Sequence, residues 1–400
     1  MDTKILSTPF PKKDPYGSLA MPVYHTAAYE FETAHEMEDA FTGRTSEFVY
    51  SRIANPTVTN YENRVKAITE AQNVLAFNSG MAAISGAVIT LAWNGCNIVT
   101  SPHLFGNTYS FFASTLKAFG VEARFCDMTN VQEVESKIDS NTCAIFLEII
   151  TNPQMEVADL KAISEVCRKQ NVPLIADTTV IPFTHFRAKN FGVDIEIVSS
   201  TKYISGGATS LGGLVIDYGT WGGATSQKLK DVPEAENSTR FFTKIFREIH
   251  RNLGAFMTPE TAYLQTIGLE TTSLRYEKEA KSCKKIAEKL QRHSEIVAVH
   301  YPALNNKIAN EQFGEYSGAM FTFDVKTREK AFEFIDRLKL IRRATNLFDN
   351  KSLAIHPAST IFGTFTDEMR KKMDVKDTTI RISVGLEGEE DIYDDIVQAL

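Results

Sequence analysis

Three places along the chain put reactive or ligand-binding residues just past a short apolar run. The first is Phe77-Asn78-Ser79-Gly80-Met81-Ala82-Ala83. A strand ending at Asn78 and a helix starting at Gly80 would present free amides and the positive end of a helix dipole to an anion such as phosphate. Glycine there lets backbone come close to a ligand. The second is Leu174-Ile175-Ala176-Asp177-Thr178-Thr179, where a carboxylate closes an apolar strand. Such a group can meet a ligand cation or cap a helix. The third is Ile197-Val198-Ser199-Ser200-Thr201-Lys202-Tyr203. A lysine just after a buried strand sits where desolvation lowers its pKa and frees its amine as a nucleophile. Ser199 and Thr201 beside it carry hydroxyls suited to phosphate oxygens.

Each site alone has an ordinary reading: a tight turn, a cap, a solvated lysine. The combination is sharper. A phosphate cradle, a carboxylate and a lysine at three strand ends of one sheet suit pyridoxal 5'-phosphate. That cofactor needs a lysine to condense with its aldehyde, an acid to keep its ring nitrogen protonated, and a phosphate site.

The elements that must hold these residues follow from the pattern. Short apolar runs at 73–78, 97–100, 122–127, 143–150, 173–178, 195–200 and 213–217 read as strands. Helical stretches at 80–93, 108–119 and 159–170 lie between them. Buried strands alternating with helices predict an α/β domain with a mostly parallel sheet, in which ligands bind at the carboxyl ends of the strands. Residues 1–60, rich in Pro, Tyr and Thr, read as an extended arm. Residues 218–250 are polar and poorly patterned. A long helical zone spans 258–292, with Thr258 as N-cap and Pro259 at the first helical position. Strands near 297–301, 319–325 and 381–384 and helices near 328–338 and 389–400 then give a smaller α+β domain. The expected division is an arm at 1–60, a cofactor-binding domain at 61–255 and a C-terminal domain at 256–400.

Composition narrows the function classes. The 400 residues carry 43 Lys+Arg against 50 Asp+Glu, a net charge of −7. That argues against a nucleic-acid binder, which shows a basic patch, and against a polybasic membrane surface. Residues 71–116 lack any Asp, Glu, Lys or Arg. They are broken at Asn78-Ser79-Gly80, Asn94-Gly95 and Ser101-Pro102 into pieces of about 15 residues or fewer, too short to cross a bilayer. Five cysteines (96, 126, 143, 167 and 283) form no CxxC pair, which fits reduced thiols in a cytoplasmic protein. Cys126, Cys143 and Cys167 read as core residues, and His103, His185 and His356 have no metal-ligand spacing, so no metal is expected. The first residues lack the long apolar core of a signal peptide.

Further motifs resemble a known family. Tyr50-Ser51-Arg52-Ile53-Ala54-Asn55-Pro56-Thr57 is similar to the YSRxxNPT motif of the Cys/Met-metabolism enzymes, the cystathionine γ-synthase-like family. Ser79-Gly80-Met81-Ala82-Ala83, the Asp177 strand end, Ser199-Ser200-Thr201-Lys202-Tyr203, His356-Pro357-Ala358-Ser359 and Arg381-Ile382-Ser383-Val384-Gly385-Leu386-Glu387 follow in the family's order. The resemblance covers nearly the whole chain. It implies a fold-type I enzyme with pyridoxal phosphate on Lys202, acting as a homodimer or homotetramer with shared active sites. It implies that Asp177 pairs with the pyridine nitrogen and that Gly80, Met81, Ser199 and Thr201 hold the phosphate. Tyr50 and Arg52 would reach that phosphate from the neighbouring subunit, and Arg381 would clamp the substrate carboxylate with help from Asn152 and Asn346.

Within the family the chain is similar to the O-acetylhomoserine sulfhydrylase branch, through Ala354-Ile355-His356-Pro357, Asn346-Leu347 and 245–260. The implied reaction is replacement of acetate by sulfide or a small thiol to give homocysteine, a transferase step of methionine biosynthesis. The same family also holds methionine γ-lyases and cystathionine γ-synthases and lyases, and a catalytically silent cofactor-binding protein is a remoter alternative. Two departures bear on the choice. Phe105 stands where the family usually stacks a tyrosine on the cofactor ring, which leaves any acid role to Lys202 or Tyr50. Phe348 stands where the branch usually has glycine, and Ile361-Phe362 where it has Thr-His. Both phenylalanines are expected to narrow the donor pocket.

Overall fold

The computed structural model describes residues 2–233 and 238–400. Seven strands form the larger sheet: β1 (Asn73–Phe77), β2 (Asn97–Thr100), β3 (Glu122–Phe125), β4 (Thr142–Glu148), β5 (Leu174–Asp177), β6 (Ile195–Val198) and β7 (Gly213–Asp217), in the order β1-β7-β6-β5-β4-β2-β3. β7 runs antiparallel to both its neighbours and every other pairing is parallel. Six strands therefore point one way, and their carboxyl ends share one edge of the sheet. Apolar runs buried on both faces produce this arrangement: every residue of β1, β2, β4, β6 and β7 is buried.

Five further strands make a smaller sheet: β8 (Ala298–His300), β9 (Met320–Asp324), β10 (Arg342–Arg343), β11 (Leu353–Ile355) and β12 (Thr379–Ser383), in the order β10-β11-β12-β9-β8. The large parallel sheet with a second, smaller sheet is the fold class that the residue pattern predicts. One apolar core runs beneath both, joining Ile145 and Leu174 to Phe321 and Ile380. All five cysteines are buried with free thiols. Among the described residues no helix is long and apolar enough to cross a membrane, and no group of three His, Cys, Asp or Glu could hold a metal ion.

The structure corrects the helix pattern in three places. The stretch expected as one helix at 108–119 is an α-turn (Gly106–Ser110), a π-turn (Phe111–Thr115) and a 3-10 turn (Leu116–Phe119). Phe111 and Phe112 both face the core. The π-turn adds a residue to that turn of the run. Residues 218–250 hold more order than expected: a helical run begins at Arg240 and continues to Leu253 through a π-segment, Ile245–His250. Phe241 and Ile245 bury along its inner face, a helical spacing that was present in the sequence. Residues 234–237 of that stretch lie outside the described residues. The long zone at 258–292 is two helices, Pro259–Glu270 and Thr272–Leu290, with Thr258 capping the first as expected. The first helix presses Gly268 against the loop after Lys202. A Cβ at Gly268 would lie 1.9 Å from the Ile204 carbonyl oxygen, so only glycine fits.

The N-terminal segment holds helices at Ala34–Phe41 and Pro56–Thr69. Asn55 caps the second, its side chain accepting the Thr57 amide, and Pro56 occupies the first position. Between residues 8 and 33 the chain has no helix or named strand, and Tyr16 and Leu19 are almost fully exposed.

Phe348 lies behind the Lys202 loop. It is fully buried, has φ +55°, and stacks on Tyr203 with ring centroids 4.3 Å apart. The backbone there is left-handed, a conformation that suits glycine and costs a side-chain-bearing residue about 1 kcal/mol. The buried ring offsets that cost, since emptying a phenylalanine site costs about 3–5 kcal/mol. Phe348→Ala should lose both the ring and the freedom of glycine. Phe348→Gly should also be destabilised, but by about 1 kcal/mol less than the alanine variant, reversing the usual rank of alanine over glycine. Urea denaturation of the two variants checks the order.

Candidate active site

The shared edge of the sheet gathers the expected residues from several strand ends. Past β1, Ser79 caps the helix Gly80–Leu91 by accepting the Ala82 amide at 3.1 Å. The first-turn amides of Gly80 and Met81 have no intrahelical acceptor. A Cβ at Gly80 would sit 2.8 Å from the Ser199 Cβ, so this glycine lets the helix start lie against the loop after β6. Among the described residues the Ser199 hydroxyl has no hydrogen-bond partner, while its amide donates to Thr179 Oγ1 at 2.8 Å. Thr179 also donates its amide to Asp177 Oδ1 at 2.9 Å, strapping the carboxylate to the neighbouring loop. Desolvation raises the Asp177 pKa, opposed by the Thr179 bonds and the Lys202 charge. Thr179 was missed in the sequence, although a threonine two residues after a strand-end aspartate is the signature of a side-chain turn.

β4 ends one register position from that aspartate, with Glu148 directly opposite Asp177. Glu148 accepts the Phe105 amide at 2.7 Å. Its carboxyl is held well above the usual carboxylate range, first by burial and then by the Asp177 charge. No role was expected for Glu148.

The Lys202 amine donates to Asn346 Oδ1 at 2.9 Å, and Asn346 donates in turn to Asp349 Oδ2 at 3.1 Å. Burial and the Arg381 charge lower the Lys202 pKa to about 8. A neutral amine is therefore available near neutral pH, as a nucleophile or a proton carrier requires. Arg381 stands mid-strand in β12, 2% exposed. Its guanidinium donates only to neutral oxygens: Asn152 Oδ1 at 3.3 Å and the carbonyls of Thr345 and Asn346, each at 3.2 Å. It makes no ion pair among the described residues, and burial lowers its pKa to about 9. A buried cation held by neutral acceptors favours an incoming carboxylate.

These groups line one cavity of about 1040 Å³. Gly80, Met81, Phe105, Asn152, Asp177, Ser199, Thr201, Lys202, Asn346 and Arg381 all border it. Tyr50 and Arg52, expected to come from a neighbouring subunit, do not border the cavity of their own chain. Tyr50 is 40% exposed and lies outside the cavity, with the Arg52 guanidinium 5.3 Å from its ring centroid. Arg52 donates to the Arg251 carbonyl at 2.7 Å. Thr201 borders the cavity, but its hydroxyl already accepts the Gly212 amide at 3.0 Å and donates to the Gly212 carbonyl at 3.2 Å. It braces the loop, leaving Gly80, Met81 and Ser199 as the uncommitted donors. Phe348 and Phe362 do not narrow the pocket. Both are fully buried away from it, Phe348 on Tyr203 and Phe362 in a small cluster with Ala358, Met373 and Val375. Ile361 is the residue of that pair that reaches the cavity.

The residues present fit pyridoxal phosphate. A recess kept open by glycine offers two amides and a free hydroxyl that would suit a phosphate, the strapped Asp177 carboxylate would suit a protonated ring nitrogen, and a lysine of lowered pKa would suit the aldehyde. The lone buried guanidinium adds a prediction. Replacing Arg381 by methionine removes a desolvated charge, so the empty chain should keep its stability within about 1 kcal/mol or gain. The anion site should vanish. Amino acids should raise the Tm of the wild type and leave that of Arg381→Met unchanged in thermal melts.

Comparison with known proteins agrees with this geometry. The family described as Cys/Met metabolism PLP-dependent enzyme matches residues 2–400. An L-methionine gamma-lyase of Fusobacterium nucleatum subsp. polymorphum is 34% identical, covering 97% of this chain and 95% of its own. An O-acetylhomoserine sulfhydrylase structure from Wolinella succinogenes is 41% identical, with a TM-score of 0.78 over 88% of this chain and 99% of its own. A Campylobacter jejuni structure named as an O-acetylhomoserine (thiol)-lyase, which holds a pyridoxyl-lysine monophosphate, superposes with a TM-score of 0.92 at 32% identity, over 100% of this chain and 99% of its own. With the match running through the arm, both sheets and every strand-end residue described above, the chain belongs to the Cys/Met-metabolism family of pyridoxal-phosphate-dependent enzymes.

Proposed function

We propose that the protein is an O-acetyl-L-homoserine sulfhydrylase, which replaces acetate at Cγ by sulfide or a small thiol to give homocysteine. When bound, pyridoxal phosphate supplies an electron sink that makes the carbons next to an amino acid's amine acidic. The chain's own residues do the rest. Gly80, Met81 and Ser199 would hold the phosphate, Asp177 the ring nitrogen and Phe105 the ring face. Arg381, with Asn152 and Asn346, holds the substrate α-carboxylate. The Lys202 amine carries protons between Cα and Cβ as general base and then general acid. Acetate leaves from Cγ and sulfide takes its place.

The single observation that carries this reading is that Phe105 stands where a tyrosine would supply a phenolic leaving-group acid. Phe105 borders the cavity where a tyrosine hydroxyl would serve, and no tyrosine, histidine or cysteine borders it among the described residues. A departing thiolate has a conjugate-acid pKa of about 8.5 and gains from an acid; a departing carboxylate, at about 4, leaves without one. The two structural relatives carry sulfhydrylase and thiol-lyase names. The methionine gamma-lyase at 34% identity supports a second reading, elimination from methionine.

Among the described residues the cavity's cations are Lys202 and Arg381, which serve the aldehyde and the carboxylate, so those residues offer no cation to a phosphate dianion. Tyr50 and Arg52, held together outside the cavity, supply one if a second copy docks its arm there. We infer a homodimer or larger homo-oligomer with composite sites.

Two experiments test these assignments. Purified enzyme should form homocysteine from O-acetylhomoserine and sulfide, and no α-ketobutyrate from methionine. α-Ketobutyrate from the wild type would move the enzyme to the lyases. Phe105→Tyr should gain elimination from methionine by about tenfold or more; no gain would remove the leaving-group argument. The second experiment follows covalent cofactor loading of the cofactor-free chain by absorbance across pH. Only the neutral amine reacts, so the rate should rise with pH and level off above about 8, not near 10.5 as for an ordinary lysine. Lys202→Ala should show no such covalent step.

A further inference from the structure

Glu148 is a buried carboxyl at the end of β4 that no step above uses. It is 9% exposed, borders the cavity and stands opposite Asp177 in the β4–β5 register. Its Oε1 accepts the Phe105 amide at 2.7 Å, and the donor is the residue whose ring faces the cofactor position. Among the described residues the loop from Ser101 to Phe105 has no other hydrogen bond that fixes Phe105 from the sheet. Helix Gly106–Ser110 begins directly after it, without a side-chain cap.

We propose that Glu148 is a positioning residue for the Phe105 ring, working as a hydrogen-bond acceptor and not as a negative charge. The physical case rests on two carboxyls at adjacent strand ends. Two anions there would repel across the register, so one carries the proton. Asp177 has compensation: two bonds from Thr179 and the Lys202 charge. Glu148 has one backbone amide, and its side chain is the less exposed of the two. The proton therefore belongs to Glu148. The negative charge stays on Asp177, where a ring nitrogen needs it. A protonated carboxyl still accepts the Phe105 amide through its carbonyl oxygen. This inference rests on the placing of Phe105 against the cofactor ring, and it holds whichever substrate is turned over.

The test compares Glu148→Gln with Glu148→Ala in the cofactor-loaded enzyme. Visible circular dichroism of the bound cofactor reports how its ring is seated, and equilibrium dialysis gives the pyridoxal phosphate Kd. Glutamine keeps the acceptor and discards the charge, so Glu148→Gln should retain the wild-type dichroism and a Kd within about threefold. Glu148→Ala should lose much of the dichroic signal and weaken cofactor binding about tenfold. In a Phe105→Ala background, removing the Glu148 side chain should add less than about twofold, because the ring it positions is gone. Three results would overturn the proposal: glutamine as damaging as alanine, alanine equal to wild type, or an alanine effect undiminished in the Phe105→Ala background. If Glu148→Ala fails to fold, Glu148→Asp, which withdraws the carboxyl by one methylene, replaces it under the same criteria. None of these readouts depends on the amino-acid substrate, so failure here and failure of the sulfhydrylase assignment are separable.

Discussion

The bond from the Lys202 amine to Asn346 joins the two sheets at the point where chemistry occurs. Lys202 follows β6 of the large sheet, and Asn346 lies between β10 and β11 of the small one. Asp349 holds Asn346 from behind, and Arg381 from β12 bonds the Asn346 carbonyl. The Lys202 amine is thus fixed by a side chain from the loop between β10 and β11, and Arg381 shares that residue with it. Much of the surrounding fold serves this contact. Gly268 lets the helix Pro259–Glu270 press the Ile204 carbonyl inward, and Tyr203 stacks on Phe348 beneath the loop. The amine cannot drift without disturbing both sheets.

Much of this was legible in the sequence, for one physical reason. Strands buried on both faces are mostly apolar, and a polar residue or glycine that closes the run marks the strand end. Asp177, Ser199 and Gly80 announce themselves in that way, and all three lie where the pattern puts them. Arg381 was legible only through the family motif, because a lone arginine in a short strand looks like a surface residue. Residues whose work is done by geometry stayed hidden. Thr201, expected as a phosphate ligand, borders the cavity with its hydroxyl bonded to Gly212, a bracing contact that spacing does not announce. Phe348 and Phe362 looked like pocket walls, yet their neighbours Leu347 and Ile361 face the cavity. A one-residue difference in facing is decided by backbone angle, which spacing alone does not fix. The π-turns at Phe111–Thr115 and Ile245–His250 escaped because an apolar spacing that reads as helical does not separate a π-turn from an α-turn.

The site also runs against stability, as functional sites do. It keeps a lysine and an arginine out of water without a carboxylate bonded to either, and two carboxyls side by side at β4 and β5. Each would gain by exposure. Ligands that bring a phosphate, a ring nitrogen and a carboxylate would relieve these groups together. The site thereby favours such ligands, since the desolvation cost is already met in the fold.

Phe348 shows how one backbone shape can be maintained in two thermodynamically different ways. A glycine would accept the left-handed turn through its freedom, at the expense of unfolded-state entropy. Here an aromatic ring holds the same turn by burial against Tyr203. Burial adds apolar surface to what unfolding exposes and so enlarges the heat-capacity increment. The phenylalanine therefore bends the stability curve more sharply with temperature than a glycine would, and its stabilisation fades on cooling as the hydrophobic driving force weakens.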